Sequence, residues 1–71
     1  MSITSVQIDP KKIKMELLRQ GLGRADLCKL SGISESNFSG MIRRGSVRTK
    51  TAFKIAEALN VGVEEIIRKE E

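Results

Sequence analysis

The side chains of this 71-residue chain best suited to chemistry are its cations. Arg43, Arg44, Arg48, Lys50 and Lys54 follow one another with no Asp or Glu between them. Clustered guanidinium and ammonium groups set up a positive field that draws in a polyanion. The same run would also serve as a solvated face that keeps a small chain soluble. The distribution is more telling than the net charge of +4. Residues 1–54 hold eleven basic and four acidic side chains, a balance of +7, while residues 55–71 hold two basic and five acidic ones, a balance of −3. The chain therefore reads as a basic body with an acidic end.

Other chemistries lack their residues. There is no His, which removes imidazole acid–base catalysis, His-containing zinc sites and any Ser-His-Asp or Cys-His arrangement within the chain. The single Cys28 cannot form an internal disulfide or a multi-thiolate metal site, and a reducing, cytoplasmic setting suits it. Its neighbours Leu27 and Leu30 predict a buried, inert thiol rather than a nucleophile. The pair Gly21 and Gly23 follows a predicted helix rather than a strand, and Asp26 stands where a third glycine of a phosphate loop would be. We therefore expect no enzyme, no cofactor and no metal site. No apolar run approaches the ~18 residues of a membrane span. The opening MSITSVQID lacks the basic-then-apolar pattern of a secretory signal.

Five short helices account for most of the chain. Asp9-Pro10 is a good cap and first helical residue, Ile13, Leu17 and Leu18 form an inner face, and Gly21 ends the helix. Lys11, Lys12 and Lys14 then read as a solvated face. A second helix spans about residues 24–30, with Leu27 and Leu30 three apart and Gly32 free to take a positive φ. Ser34 caps a third, in which Phe38, Met41 and Ile42 face inward and Gly45 is the stop. Thr49 is expected to cap a fourth, whose Ala52, Phe53, Ile55, Ala56 and Leu59 follow the 3.6-residue period, with Asn60 as its end. Val63 to about Lys69, capped by Gly62, makes a fifth. No sheet is evident. The weak alternation of Ile3, Val6 and Ile8 could mark a short strand or an extended arm; a flexible N-terminal arm over residues 1–8 is expected, ahead of one domain over residues 9–71. The expected core combines Ile13, Leu17, Leu27, Ile33, Phe38, Ile42, Phe53, Ile55, Ala56, Leu59 and Ile66.

Two short helices joined by a tight turn with Gly32, the second capped by Ser34, have the grammar of a helix-turn-helix over about residues 24–44. Cys28 is small enough for a close helix crossing, and Ile33 and Phe38 plug the angle between the helices. Such a motif lays the N-terminal part of its second helix in the DNA major groove. The residues then aimed at base edges are Glu35, Ser36, Asn37, Gly40 and Arg43. Glu35 could accept from a cytosine amino group, Asn37 could pair bidentately with adenine, and Ser36 could reach a base or a phosphate. Each has a plainer role available: Glu35 as a first-turn carboxylate favouring the helix dipole, Asn37 as a solvated side chain, Arg43 and Arg44 as cations at the helix end. Phosphate contacts fall to Arg24, Arg44, Ser46, Arg48, Thr49 and Lys50.

From Ile13 to Ile67 the chain resembles the phage-repressor and Cro-type helix-turn-helix domains, the lambda-repressor-like or xenobiotic-response-element type. The matching pieces are Ile13…Leu17-Leu18…Gly21-Leu22, the run from Ala25 to Ser34, Phe38-Ser-Gly-Met…Gly45, and the ending from Lys54 to Ile67. The resemblance implies an all-α bundle of five short helices. It departs from the family at Gly23-Arg24, where Thr-Gln is common, at Gly40, where a polar or basic residue is common, and in the spacing on either side of Gly45.

One recognition helix covers only a few base pairs, so a homodimer on a two-fold operator is expected, with double-stranded DNA as the partner. The acidic end carries Glu64, Glu65, Glu70 and Glu71 and should face away from phosphate. Val63, Ile66 and Ile67 there could form the dimer contact or cap the monomer's own core. The function expected is a DNA-binding transcriptional regulator, a repressor. The alternative is a protein-interaction module on the same fold, such as an antitoxin or assembly regulator.

Overall fold

The computed structural model describes residues 4–68. In chain order it has strand β1 (Ser5–Gln7), helices α1 (Pro10–Gln20), α2 (Arg24–Ser31) and α3 (Glu35–Arg44), strand β2 (Ser46–Arg48), helix α4 (Thr49–Leu59) and a single 3-10 turn (Val63–Glu65). Four helices are therefore present among the described residues. The fifth expected helix is one 3-10 turn that ends at Ile66, and Lys69 lies outside the described residues.

Local chemistry fixes the helix ends. Asp9 Oδ1 accepts from the Lys11 N–H at 3.1 Å, and Pro10 begins α1 with its φ already helical. The Asp26 carboxylate accepts from the Gly23 N–H at 2.9 Å and closes the start of α2. Ser34 Oγ accepts from the Asn37 N–H at 3.2 Å at the start of α3. The fourth cap differs from expectation: Arg48 occupies it, without a side-chain bond, and Thr49 is the first helical residue. At the far ends Gly32 and Gly45 take φ +75°, a region costly to residues with a Cβ, and Asn60 takes φ 58° at the end of α4.

The sheet corrects the sequence reading. β1 pairs antiparallel with β2, with Val6 opposite Val47, and an isolated bridge joins Ile8 to Ile67. Two further bonds tie down the segment expected to be an arm: the Ile8 N–H donates to the Gly45 carbonyl at 3.0 Å, and the Asp9 N–H to that of Ile66 at 2.8 Å. Ile8 is buried at 1% exposure, so the flexible-arm reading fails for residues 5–8; residues 1–3, including Ile3, lie outside the described residues. β2 takes up the three residues between Gly45 and the start of α4.

The core gathers Ile8, Ile13, Leu17, Leu27, Cys28, Phe38, Met41, Val47, Ala52, Ile55, Ala56, Leu59 and Ile66. Ile33 and Ile42 are partly buried against it. Two expected inner residues are outside: Leu18 is 67% and Phe53 57% exposed. The inner stripe of α1 is Ile13, Glu16 and Leu17, which leaves Leu18 about 100° round the helix from Leu17. Glu16 takes the inner place because Arg19 and Gln20 both donate to it, and Gln20 Nε2 also donates to the Leu59 carbonyl at 2.7 Å. In α4 the inner stripe is Ala52, Ile55, Ala56 and Leu59, and Phe53 falls on the opposite flank.

Candidate nucleic-acid interface

α2 ends at Ser31, Gly32 and Ile33 both donate to the Cys28 carbonyl, and the chain re-enters a helix at Glu35. The break at Gly32 is what lets α3 leave the line of α2. α2 packs on α4 and on α3, so the second helix of the motif is carried by a first helix anchored in the core through Leu27 and Cys28. Leu27 at 0% and Phe38 at 2% exposure hold the two together. Cys28 is buried at the crossing, and burial, reinforced by the Glu35 carboxylate and opposed by Arg24, pushes its thiol pKa up.

α3 stands as a ridge. Phe38 and Met41 anchor its inner side. At 100° per residue, Ser36, Gly40 and Arg43 lie together on the outer side, opposite those anchors. Glu35, Ser36, Asn37 and Arg43 are exposed, and Gly40 is partly so. A Cβ on Gly40 would meet the Arg44 guanidinium at 3.2 Å: the Arg44 side chain folds back across the gap that the glycine leaves.

Open grooves flank the ridge. One is lined by Pro10, Ile13, Lys14, Leu17, Arg24, Phe38 and Ile42. The other, towards the β2–α4 corner, is lined by Ile33, Asn37, Met41, Arg44, Arg48 and Thr51, among others. A depression around Thr4 and Ser5 continues past Arg48 to Thr49 and Lys50. The structure thus brings Asn37, Arg44 and Arg48 to one groove and carries the rim on to Thr49 and Lys50. Ser46 is partly buried in β2, and the Thr49 N–H donates to the Thr4 carbonyl at 3.1 Å. Arg24 lies across the ridge from this set. Its guanidinium sits 5.3 Å from the centre of the Phe38 ring and donates to Ser39 Oγ at 2.6 Å.

Lys14, exposed as a solvated face requires, also lines the Arg24 groove, whereas Lys12 Nζ donates to the Ile67 carbonyl at 3.3 Å. Lys14 follows the buried Ile13 directly and so borders the inner face of α1. The only salt bridge among the described residues joins Arg19 to Glu16, so the cations around α3 have no carboxylate within 4.0 Å among those residues.

Glu64 and Glu65 are exposed on the 3-10 turn, and Glu70 and Glu71 lie outside the described residues. Ile66, expected as a possible dimer contact, is at 0% exposure inside the monomer's own core, and Val63 and Ile67 pack against that core. Among the described residues no helix is long and apolar enough to cross a membrane.

No curated protein and no solved structure matches the chain. Residues 12–70 match a family model described as the Cro/C1-type HTH DNA-binding domain, and with four-fifths of its length covered the chain belongs to that helix-turn-helix family.

Proposed function

We propose that this protein is a sequence-specific regulator of transcription that binds duplex DNA as a homodimer and represses by occupying its operator. The observation that carries the reading is the outer side of α3, where short polar groups stand between two open grooves edged with cations. Small side chains let a helix sink into the major groove, and cations on both flanks meet the phosphates on either wall.

In this reading Ser36, Asn37, Gly40 and Arg43 face base edges, with Glu35 at the helix start. Asn37 pairs with adenine and Glu35 accepts from cytosine. Arg44, Ser46, Arg48, Thr49 and Lys50 hold one phosphate wall. Arg24, joined by Lys14, holds the other. Arg24 is shared between Phe38, Ser39 and phosphate, so it couples the orientation of α3 to the backbone contact. The cytoplasm is the setting, since a reducing compartment suits an unpaired buried thiol. A protein-interaction module would be served better by an apolar outer face on α3. Ser36, Gly40 and Arg43 do not provide one.

The test is selection of bound fragments from random duplex DNA with the full chain. A consensus of two inverted half-sites, their centres about one helical turn or a multiple of it apart, is expected. Failure to enrich any sequence over the input pool would remove the proposal.

A further inference from the structure

Phe53 is one of two aromatic residues in the chain, and it is 57% exposed on the outer side of α4. Its exposed neighbours there are Lys50, Lys54 and Glu57. The spacing i, i+3, i+4, i+7 puts all four on one helix face. An open trough floored by Ala56, Val61 and Val63 runs beside them. The face thus has Phe53 beside Lys54 at its centre, the Lys50 cation near its N-terminal end and the Glu57 anion near its C-terminal end.

We propose that this face docks against the same face of a second copy, with α4 antiparallel to α4 and the two-fold axis passing between Phe53 and Lys54. The charges support that occupant. In such a pairing Lys50 of each copy lies opposite Glu57 of the other, so one self-complementary patch makes the same ion pair twice. Phe53 lies against the aliphatic stem of Lys54 and beside its own counterpart, which removes two exposed rings from water. An unrelated partner would need matching anionic and cationic spots on either side of an apolar one. This chain already carries them on one helix. The geometry leaves DNA binding open: Thr51, which lines the groove beside α3, lies about 160° round α4 from Phe53.

The inference rests on the proposed function only in that a two-fold operator asks for a two-fold protein, and it concerns the protein without DNA. Lys50 is the residue for which the two roles compete, and the dimer assigns it to Glu57. The experiment is sedimentation of the full chain, free of DNA, over a concentration series reaching hundreds of micromolar. A reversible dimer is expected. Phe53→Ser and Glu57→Lys should each raise its dissociation constant about tenfold or more, with the circular dichroism spectrum unchanged because both residues are exposed. Lys50→Glu combined with Glu57→Lys should restore the dimer. A chain that stays monomeric throughout, or a dimer that Phe53→Ser leaves intact, would overturn the assigned face. Failure of the double charge swap to rescue would overturn the antiparallel register. A monomer that still selects an operator would sink this inference alone. A dimer that selects none would sink the function alone.

Discussion

Arg24 illustrates how one side chain can serve the fold and the site together. Its guanidinium lies over Phe38, the residue that anchors α3, and its bond to Ser39 reaches the next position of the same helix. An exposed cation over an aromatic ring contributes about 0.5–1 kcal/mol. Arg24→Ala should therefore lower stability by about that amount in urea denaturation and weaken binding to all DNA sequences alike. Arg24→Lys keeps the charge without the planar fork, so it should recover most of the salt dependence of binding but less of the stability. Equal loss in both variants would mean that the planar fork, and not the charge, is what matters. Cys28 gives a second prediction at this scale. Its folded thiol releases a proton above the ordinary value of 9.0, so the folded state holds that proton more tightly than the unfolded chain. The stability this confers is complete below pH 9.0 and is lost as pH rises towards the raised value. Cys28→Ala should flatten the alkaline fall in stability relative to wild type, read as the slope of unfolding free energy against pH. Caps such as Asp9 and Ser34 are legible in sequence because a short polar side chain ahead of an apolar period has one use. Glu16 is not legible: only the donors Arg19 and Gln20, and the fixing of Gln20 on Leu59, make an inward carboxylate tolerable.

The elements divide by length. The four α-helices are each eight residues or longer and carry capping or stop residues at their ends, and the sequence places them to within a residue or two. β1 and β2 have three residues each, too few for alternation to stand out, and β2 lies in a run that its cations mark as loop. What makes them strands is distant: Val6 pairs with Val47, and Ile8 bridges to Ile67 and donates to the Gly45 carbonyl. Ile8→Ala should accordingly cost about 2–4 kcal/mol, as for a core aliphatic residue, where a free arm would cost nothing. Urea denaturation decides between them, with Phe38→Ala at about 3–5 kcal/mol as the core reference and the exposed Phe53→Ala well below it. α3 offers the converse experiment. Gly40→Ala adds helix propensity worth about 0.5–1 kcal/mol, and its new methyl would meet only the flexible end of Arg44. The variant should melt at a higher temperature and bind the selected operator less well, because Arg44 is displaced and the outer face of α3 is raised. A rise in stability with unaltered operator affinity would show that the glycine is merely tolerated there.

Across the whole molecule the question is where the charge points. The basic body encloses α3, while Glu64 and Glu65 sit on the 3-10 turn at the other end of the chain. Binding to phosphates releases counterions, and the logarithm of the affinity falls with the logarithm of salt concentration by about 0.9 for each phosphate neutralised. Three phosphate-facing cations per protomer, Arg24, Arg44 and Arg48, give a dimer a slope of about −5. Arg48→Ala should make the slope shallower by about 2, since both protomers lose the contact, and should reduce affinity for operator and random DNA together. Asn37→Ala should instead leave the slope in place and narrow the gap between operator and random DNA. The acidic end then provides the orientation control. Carboxylates more than a Debye length from the duplex, about 8–10 Å at ordinary ionic strength, are screened from it. Glu64→Gln with Glu65→Gln should leave both slope and affinity unchanged if the 3-10 turn faces away from DNA. Tighter binding by that variant at low salt, fading as salt is raised, would place the turn against the phosphates and reverse the orientation assigned to α3.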